Sequence, residues 1–147
     1  MKIYADTSFL VSLLYGADTG HSEARRTFNR YATDDWLTSE WSRFETVNSL
    51  RQLCRRGWDA TRAEATVRLF KHWHRFGPFE RTQPSLDEAM AECQILSAAH
   101  AASMTMRGAD LLHVALLDQL APDLFLTRDQ QQFALAQTAG IPSLLVP

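Results

Sequence analysis

Two short apolar segments, one near each end of the chain, lead directly into polar residues that include an acid and a hydroxyl. Residues 2–8 read KIYADTS, with the acid at Asp6, and residues 124–129 read LFLTRD, with the acid at Asp129. Each segment precedes a helix-like pattern, which predicts a buried strand that ends where a helix begins. In an open sheet of parallel strands, the carboxyl ends of the strands share one edge, and ligands bind there. We therefore expect Asp6 and Asp129 to face one crevice.

Helix-like and strand-like patterns alternate between these two segments. Further short strands are predicted at about residues 36–38, 79–82 and 143–146. A helix capped by Asp18 or Ser22 is predicted to end at about Tyr31. The other helices are predicted at about residues 7–15, 40–56, 60–76, 86–106, 109–120 and 130–139. Apolar strands that alternate with helices favour an α/β fold, with a mostly parallel central sheet of about four to five strands flanked by helices.

The length and composition of the chain limit the possible architectures. Its 147 residues, 46% of them hydrophobic, suffice for a sizeable core, and no linker-like segment divides them, so we interpret residues 1–147 as a single domain. No apolar run is long enough to span a membrane and the N-terminus lacks a secretory signal, so we expect a cytoplasmic protein. Cys54 and Cys93 lack metal-binding spacing and are expected to be reduced thiols.

Charge is distributed unevenly along the chain, although the formal net charge is only −2. Residues 25–81 carry 12 Lys and Arg against 7 Asp and Glu, whereas the remaining residues carry 3 against 10. A basic middle between acidic ends indicates a polyanionic partner such as RNA. For any single arginine, the alternative is a solvated helix face.

Two further acids are placed where they could reach the expected crevice. Asp110 lies in the first turn of a predicted helix, and Glu45 lies at the margin of the apolar stripe of helix 40–56. Three or four converging carboxylates repel one another, and a divalent cation reverses that cost. All-oxygen ligands select Mg²⁺ or Mn²⁺ over zinc, and such a site can activate water and stabilise the charge that builds up on a phosphodiester. The stripe itself is expected to be formed by Trp41, Phe44, Val47, Leu50 and Cys54.

Each acid also has a purely structural explanation. Asp6, or one of the two hydroxyl residues after it, can cap the first helix. Asp110 and Asp129 can stabilise helices as first-turn acids that interact with the helix dipole. Glu45 can be an ordinary surface residue. Only the convergence of all four in the expected topology favours a functional site.

Four sequence blocks carry a resemblance to a known family. They are DTS after the first strand, ETVNSLR at Glu45, RGADLLHVAL at Asp110 and LFLTRDQQQF at Asp129. Their order and spacing resemble the signature blocks of PIN domains over essentially the whole chain. The similarity is closest to the VapC-type toxin ribonucleases of bacterial and archaeal toxin–antitoxin pairs.

The resemblance implies an endoribonuclease that depends on Mg²⁺ or Mn²⁺. It implies that the four acids hold the metal and position water, and that two hydroxyl residues support them through hydrogen bonds. It also implies an RNA substrate, a homodimer, and a cognate antitoxin with a segment that crosses the active-site groove and inhibits the enzyme. The implied acids are Asp6, Glu45, Asp110 and Asp129, and the supporting hydroxyls are those of Ser8 and Thr127.

Three other interpretations remain open. His113, one helical turn beyond Asp110, could be a general base, but a packing or supporting role is favoured because a metal-bound water needs no histidine. A phosphatase with Asp6 as nucleophile is a poor alternative, since the haloacid-dehalogenase type needs a second acid two residues on, where Ser8 stands. The last alternative is a PIN-like module that binds RNA or protein without catalysis.

Overall fold

A five-stranded parallel sheet forms the centre of the protein, in a computed structural model that describes residues 1–147. The strands are β1 (Lys2–Ala5), β2 (Asp35–Thr38), β3 (Phe79–Arg81), β4 (Leu124–Thr127) and β5 (Ser143–Leu145). They lie in the order β3-β2-β1-β4-β5, and every neighbouring pair is parallel. The fold class expected from the sequence is therefore confirmed, and the two strands that precede acids, β1 and β4, are neighbours.

Seven α-helices flank the sheet. They are α1 (Thr7–Leu14), α2 (His21–Arg30), α3 (Glu40–Gln52), α4 (Ala60–Phe76), α5 (Leu86–His100), α6 (Gly108–Leu120) and α7 (Gln130–Thr138). A 3-10 helix, Leu53–Arg56, extends α3 and ends at Gly57, which has a φ of 91° that glycine adopts at low cost. None of the helices combines the length and apolarity needed to cross a membrane. As expected, Cys54 and Cys93 are free thiols.

Two helix boundaries differ from the sequence-based prediction. α2 begins after Gly20, which has no side chain to cap it. Asp18, one of the two predicted caps, does not cap the helix, and its carboxylate accepts hydrogen bonds from Ser12 and Arg128 instead. α5 ends at His100, several residues before the predicted end. The alanine-rich segment after it contains no glycine or proline that would mark this end in the sequence.

The inner strands β1, β2 and β4 are buried on both faces, because successive residues of a strand point to opposite sides and helices cover both. On one face, Tyr4 of β1 and Phe125 of β4 join an apolar cluster with residues of α5, α6 and α7. On the other face, Ile3, Trp36 and Leu126 join a cluster with residues of α1, α2 and α4. Packing on both sides fixes the central strands, and with them the positions of the residues that follow their carboxyl ends.

The buried face of α3 differs from the predicted apolar stripe. Phe44 is 63% exposed, whereas Ser42 and Thr46 are buried together with Leu50. Ser42 serves the helix start, where it and Ser39 exchange side-chain-to-backbone hydrogen bonds of 3.1 Å. Hydrophobicity alone was therefore the wrong guide to this face: the Ser42 hydroxyl finds hydrogen-bond partners, and Thr46 is buried although its hydroxyl has none.

His74 on α4 is expected to make the stability of the protein depend on pH. Its Nδ1 lies 3.1 Å from the Thr38 hydroxyl, and its buried Nε2 has no hydrogen-bond partner. Burial, aided by the nearby Arg43 guanidinium, lowers the pKa of His74 from 6.5 to about 4. Between these two values the unfolded chain binds a proton at this position more readily than the folded protein does. The contribution of His74 to the free energy of unfolding should therefore fall as the pH drops from 6.5 towards 4.

Urea unfolding of the protein and of His74→Gln over this pH range measures the effect. We expect the pH dependence to be smaller in His74→Gln, because glutamine takes up no proton. His72→Gln is the matched control, since His72 lies on the same helix and is exposed. The same pH dependence in both variants would contradict the role assigned to His74.

Candidate active site

A polar cavity of about 770 Å³ lies beyond the carboxyl ends of β1 and β4. Five acids line it, namely Asp18 and the four acids expected there from the sequence, Asp6, Glu45, Asp110 and Asp129. Four arginines line it as well, namely Arg55, Arg56, Arg107 and Arg128. The fold therefore brings all four acids named in the sequence analysis to the wall of one cavity, together with part of the basic middle of the chain.

Asp6 ends β1 and caps α1, and it is only 2% exposed. Its Oδ1 accepts a hydrogen bond from the Phe9 amide at 2.9 Å. The Ser8 hydroxyl lies 2.8 Å from both carboxylate oxygens, and the Thr127 hydroxyl donates to Oδ2 at 2.8 Å. Burial raises the pKa of Asp6, and the nearby His113 and these hydrogen bonds oppose that effect only in part. A buried carboxyl with a raised pKa in a cleft is typical of functional sites.

The two hydroxyls that hold Asp6 are themselves fixed by the loop after β4. The Arg128 amide donates to Ser8 Oγ at 2.8 Å, and the Asp129 amide donates to Thr127 Oγ1 at 2.9 Å. Ser8 and Thr127 thus connect the end of β4 to the Asp6 carboxylate. This contact between the two central strands gives Asp6 a fixed orientation, which a helix cap alone would not require.

Asp129 and Asp110 each use one carboxylate oxygen to accept hydrogen bonds from backbone amides at the start of a helix. Asp129 Oδ1 accepts hydrogen bonds from the amides of Gln131 and Gln132 at 2.8 and 3.0 Å. Asp110 Oδ2 accepts one from the Arg107 amide at 2.8 Å. The second oxygen of each carboxylate has no hydrogen-bond partner in the protein. Both acids therefore stabilise a helix start, as the sequence analysis considered, but through hydrogen bonds to backbone amides, and one oxygen of each acid is left free at the cavity wall.

Glu45 is constrained by two side chains. Its Oε2 accepts a hydrogen bond from the Thr7 hydroxyl and lies 2.8 Å from Nε2 of His113. Burial acts to raise the pKa of Glu45, but the hydrogen bonds from His113 and Thr7 outweigh it and leave the pKa below its ordinary value. Glu45 is therefore ionised at neutral pH.

The Arg128 guanidinium pairs with Asp18, the fifth acid of the cavity. Its Nη1 lies 2.6 Å from Asp18 Oδ1 and also contacts the Ser12 hydroxyl. Its Nε donates to the carbonyl oxygen of Pro147 at 3.1 Å. Three separate segments therefore fix this side chain, and its charge is matched by Asp18 rather than left for a ligand.

Gly20→Ala is expected to expel Arg128 from this position. A Cβ at Gly20 would overlap the Arg128 guanidinium, although the backbone there, with a φ of −94°, is open to alanine. Loss of the half-buried ion pair and its hydrogen bonds should lower the free energy of unfolding by about 1–2 kcal/mol. Gly16→Ala is the matched control, since a Cβ there meets nothing within 4 Å. Equal urea midpoints for the two variants would show that the guanidinium position contributes nothing to stability.

The carboxylate oxygens of the four acids are suitable ligands for a divalent cation, although the side chains do not lie close enough together to share one ion. No group of three or more His, Cys, Asp or Glu side chains lies close enough together to hold an ion. The donors are nevertheless all oxygens on one cavity, a set that suits Mg²⁺ or Mn²⁺. Free oxygens remain on Asp110, Asp129 and Glu45. Holding an ion would require these side chains to approach one another and Asp6 more closely.

The sequence is matched by a protein-family model. The model of the PIN domain matches residues 3–139. The chain belongs to the PIN domain family. The four acids expected from the sequence all lie within the matched range of this PIN domain. No curated protein matches the chain.

Three solved structures share the fold of this PIN domain over nearly its whole length. VapC20 from Mycobacterium tuberculosis, a sarcin–ricin loop cleaving toxin, has a TM-score of 0.71 at 18% identity, with 98% of each chain covered. VapBC2 from Rickettsia felis, bound to a DNA fragment from its promoter, has a TM-score of 0.70 at 10% identity, also with 98% of each chain covered. FitAcB from Neisseria gonorrhoeae has a TM-score of 0.65 at 14% identity and covers 97% of this chain and 96% of its own. At these identities, the likeness establishes the fold.

The contacts of two residues at the site of this PIN domain were not predicted from the sequence. Thr7 stands in the DTS block but was considered only as a helix cap, whereas its hydroxyl binds Glu45. Tyr4 lies in the middle of an apolar strand and gave no polar signal, yet its hydroxyl reaches His113. Both contacts join residues far apart in sequence, so no local pattern could indicate them.

Proposed function

We propose that this PIN-domain protein is a VapC-type toxin, an endoribonuclease that depends on Mg²⁺ or Mn²⁺. The observation that carries the proposal is the presence of Asp6, Glu45, Asp110 and Asp129 on one polar cavity of a PIN fold. The likeness in fold to VapC20, a toxin that cleaves the sarcin–ricin loop, supports the toxin class.

The proposed roles follow from the environment of each acid. A divalent ion, when bound, supplies a water of lowered pKa and neutralises the charge that develops on the phosphodiester. Asp6, Asp110 and Asp129 would hold it, using the buried carboxylate of the first and the free oxygens of the other two. Glu45, which is ionised, would complete the pocket or orient the attacking water. The hydroxyls around Asp6 keep its carboxylate in place.

The basic wall of the cavity supports an RNA substrate. Arg55, Arg56 and Arg107 are exposed and line the same cavity as the acids. Exposed guanidinium groups bind phosphates through paired hydrogen bonds. Their contribution to the affinity for RNA weakens as the salt concentration rises, because the release of counterions from the RNA then favours binding less. These three arginines would hold the backbone of the RNA while the acids act on one phosphodiester.

The partners are proposed together with the toxin class. We propose a cognate antitoxin with a segment that crosses the active-site groove, and a homodimer as the assembled form. The support is the resemblance of the sequence to VapC-type toxins and the likeness in fold to VapBC2, which was solved with promoter DNA.

Cleavage of total RNA by the purified protein tests the proposed function. We expect cleavage with Mn²⁺ or Mg²⁺, and its loss with EDTA, because the carboxylates cannot activate water without the cation. Restoring activity by adding excess Mn²⁺ after EDTA is the control for damage by the chelator. Cleavage that persists unchanged in EDTA would contradict a metal-dependent mechanism.

The alternative is a PIN-like module that binds RNA or protein without catalysis. It is favoured by one observation, namely that no three metal-ligating side chains lie together in this arrangement. Isothermal titration with Mn²⁺, alone and in the presence of an RNA that the protein retains, distinguishes the two functions. Binding of RNA with neither Mn²⁺ binding nor cleavage would favour the module.

A further inference from the structure

A continuous series of side-chain hydrogen bonds runs from the core to the cavity. The hydroxyl oxygens of Ser39 and Tyr4 lie 3.0 Å apart, and the Tyr4 hydroxyl lies 3.1 Å from Nδ1 of His113. The other ring nitrogen of His113, Nε2, lies 2.8 Å from Oε2 of Glu45. Ser39, Tyr4 and His113 are each at most 2% exposed. Glu45 and His113 line the cavity, whereas Tyr4 and Ser39 do not.

The end of the series at Glu45 determines the direction of every bond. An ionised carboxylate only accepts hydrogen bonds, so Nε2 of His113 must carry a proton. In the neutral ring, Nδ1 is then an acceptor, and the Tyr4 hydroxyl must donate to it. Burial raises the pKa of the Tyr4 phenol, so this hydroxyl keeps its proton. The Ser39 hydroxyl in turn donates to Tyr4, while its oxygen accepts the Ser42 amide at 3.1 Å.

The same contacts leave one oxygen of Glu45 available. The bonds from His113 and Thr7 both end on Oε2. Oε1 has no hydrogen-bond partner in the protein, and Glu45 lines the cavity. Two donors on one oxygen fix the rotation of the carboxylate, so the orientation of the free Oε1 depends on the His113 ring. Nδ1, the one basic nitrogen of that ring, is occupied by Tyr4 and does not reach the cavity.

We propose that Tyr4 fixes His113 as the Nε2–H tautomer, and that His113 in this form is the positioning residue that orients Glu45 Oε1 toward the reacting centre. His113 is then a hydrogen-bond donor and not a general base. The tautomer is a property of the folded protein alone, whereas the consequence for catalysis rests on the proposed function. The two parts can therefore be tested separately.

The tautomer is measured by ¹⁵N NMR of the imidazole side chains above neutral pH. The protein has five histidines, and the signals absent from a His113→Gln spectrum identify His113. We expect a protonated Nε2 and an unprotonated Nδ1 in the protein. In Tyr4→Phe, which removes only the donor to Nδ1, the Nδ1–H form should become populated. Tyr31→Phe, which removes a hydroxyl outside this series, should leave the spectrum of His113 unchanged.

Two outcomes of this measurement would overturn the proposal. One is an Nδ1–H ring in the unaltered protein, because Nε2 could then not donate to Glu45. The other is a ring protonated on both nitrogens, because Tyr4 would then accept from His113 instead of fixing its tautomer. Both outcomes can be recognised in a protein that cleaves no RNA, so they do not depend on the proposed function.

The role in catalysis is tested with His113→Gln and His113→Asn. The glutamine amide can donate to Glu45 from about the position of Nε2, whereas the shorter asparagine places its amide near Nδ1. We expect His113→Gln to keep kcat within a few fold and His113→Asn to lower it by about 10–100-fold at an unchanged KM, a loss typical of residues that orient metal ligands. Glutamine cannot act as a base, so a His113→Gln protein as inactive as His113→Asn would overturn the positioning role. Mn²⁺ affinity, measured by titration, should fall in His113→Asn alone.

Discussion

Asp6→Asn is expected to lower metal-dependent RNA cleavage by about a thousandfold or more, a loss typical of removing a group on which the chemistry depends. Asp6 is the only one of the four acids that is fully buried, and its carboxylate sits between the ends of the two central strands. The substitution would remove the charge of the proposed metal ligand that the fold holds most rigidly. Cleavage is followed as initial rates on one RNA with saturating Mn²⁺.

The fold should tolerate this substitution. The asparagine Oδ1 can still accept from the Phe9 amide and the Ser8 hydroxyl, while its Nδ2 can donate to the Thr127 hydroxyl. Thr127 can then donate to Gln132, whose Oε1 lies 3.3 Å away. Loss of activity without loss of structure would therefore identify a catalytic effect.

Stability provides a second measure of the same substitution. Because burial raises the pKa of Asp6, the folded protein binds its proton more tightly than the unfolded chain does. In metal-free buffer, the contribution of Asp6 to the free energy of unfolding should therefore fall as the pH rises from about 3.8 through the higher folded-state pKa. Asp6→Asn removes this dependence and should be at least as stable at neutral pH. Such a gain on neutralising a functional residue reflects the usual conflict between stability and activity.

An exposed acid outside the cavity provides the control. Asp87→Asn changes the charge by the same amount in the first turn of α5, away from the cavity. It should leave the rate of cleavage unchanged. Equal activity of Asp6→Asn and the unaltered protein would mean that the observed nuclease is a contaminant or that the active site lies elsewhere.

Asp129→Asn and Asp129→Ala are expected to separate the catalytic role of this residue from its structural role. Both variants remove the charge and should lower cleavage by about a hundredfold or more. Only alanine also removes the oxygen that accepts from the Gln131 and Gln132 amides. Loss of such a helix cap costs about 1 kcal/mol of stability. Asp129→Ala should therefore unfold at a lower urea concentration than the unaltered protein, whereas Asp129→Asn should unfold at the same concentration.

The pair decides between the two explanations of Asp129. If Asp129 served only as a cap, Asp129→Asn would retain full activity, because the asparagine oxygen caps α7 equally well. An inactive Asp129→Asn protein with unchanged stability would instead assign the loss to the missing charge. Initial rates and urea midpoints measured on the same preparations supply both readouts.

Much of the fold followed from local patterns. The apolar segments that became β1 and β4 marked buried strands, and the bounds of β4 and α4 were predicted as they occur. Parallel pairing was expected because helices separate the strands. The predicted neighbourhood of Asp6 and Asp129 depended on the general rule that parallel strands end at one edge. Local patterns were weaker where polar residues are buried, as Ser42 and Thr46 show on α3.

The sequence by itself determined which residues could form the site, because the four acids and the two hydroxyls occur in blocks with recognisable spacing. Only the tertiary structure decided how they are held. It placed Thr7 and His113 on Glu45, turned Tyr4 toward His113, and paired Arg128 with Asp18 instead of with one of the four expected acids. These contacts join residues up to 110 positions apart. Their formation depends on the packing of helices on both faces of the sheet, which no local periodicity encodes.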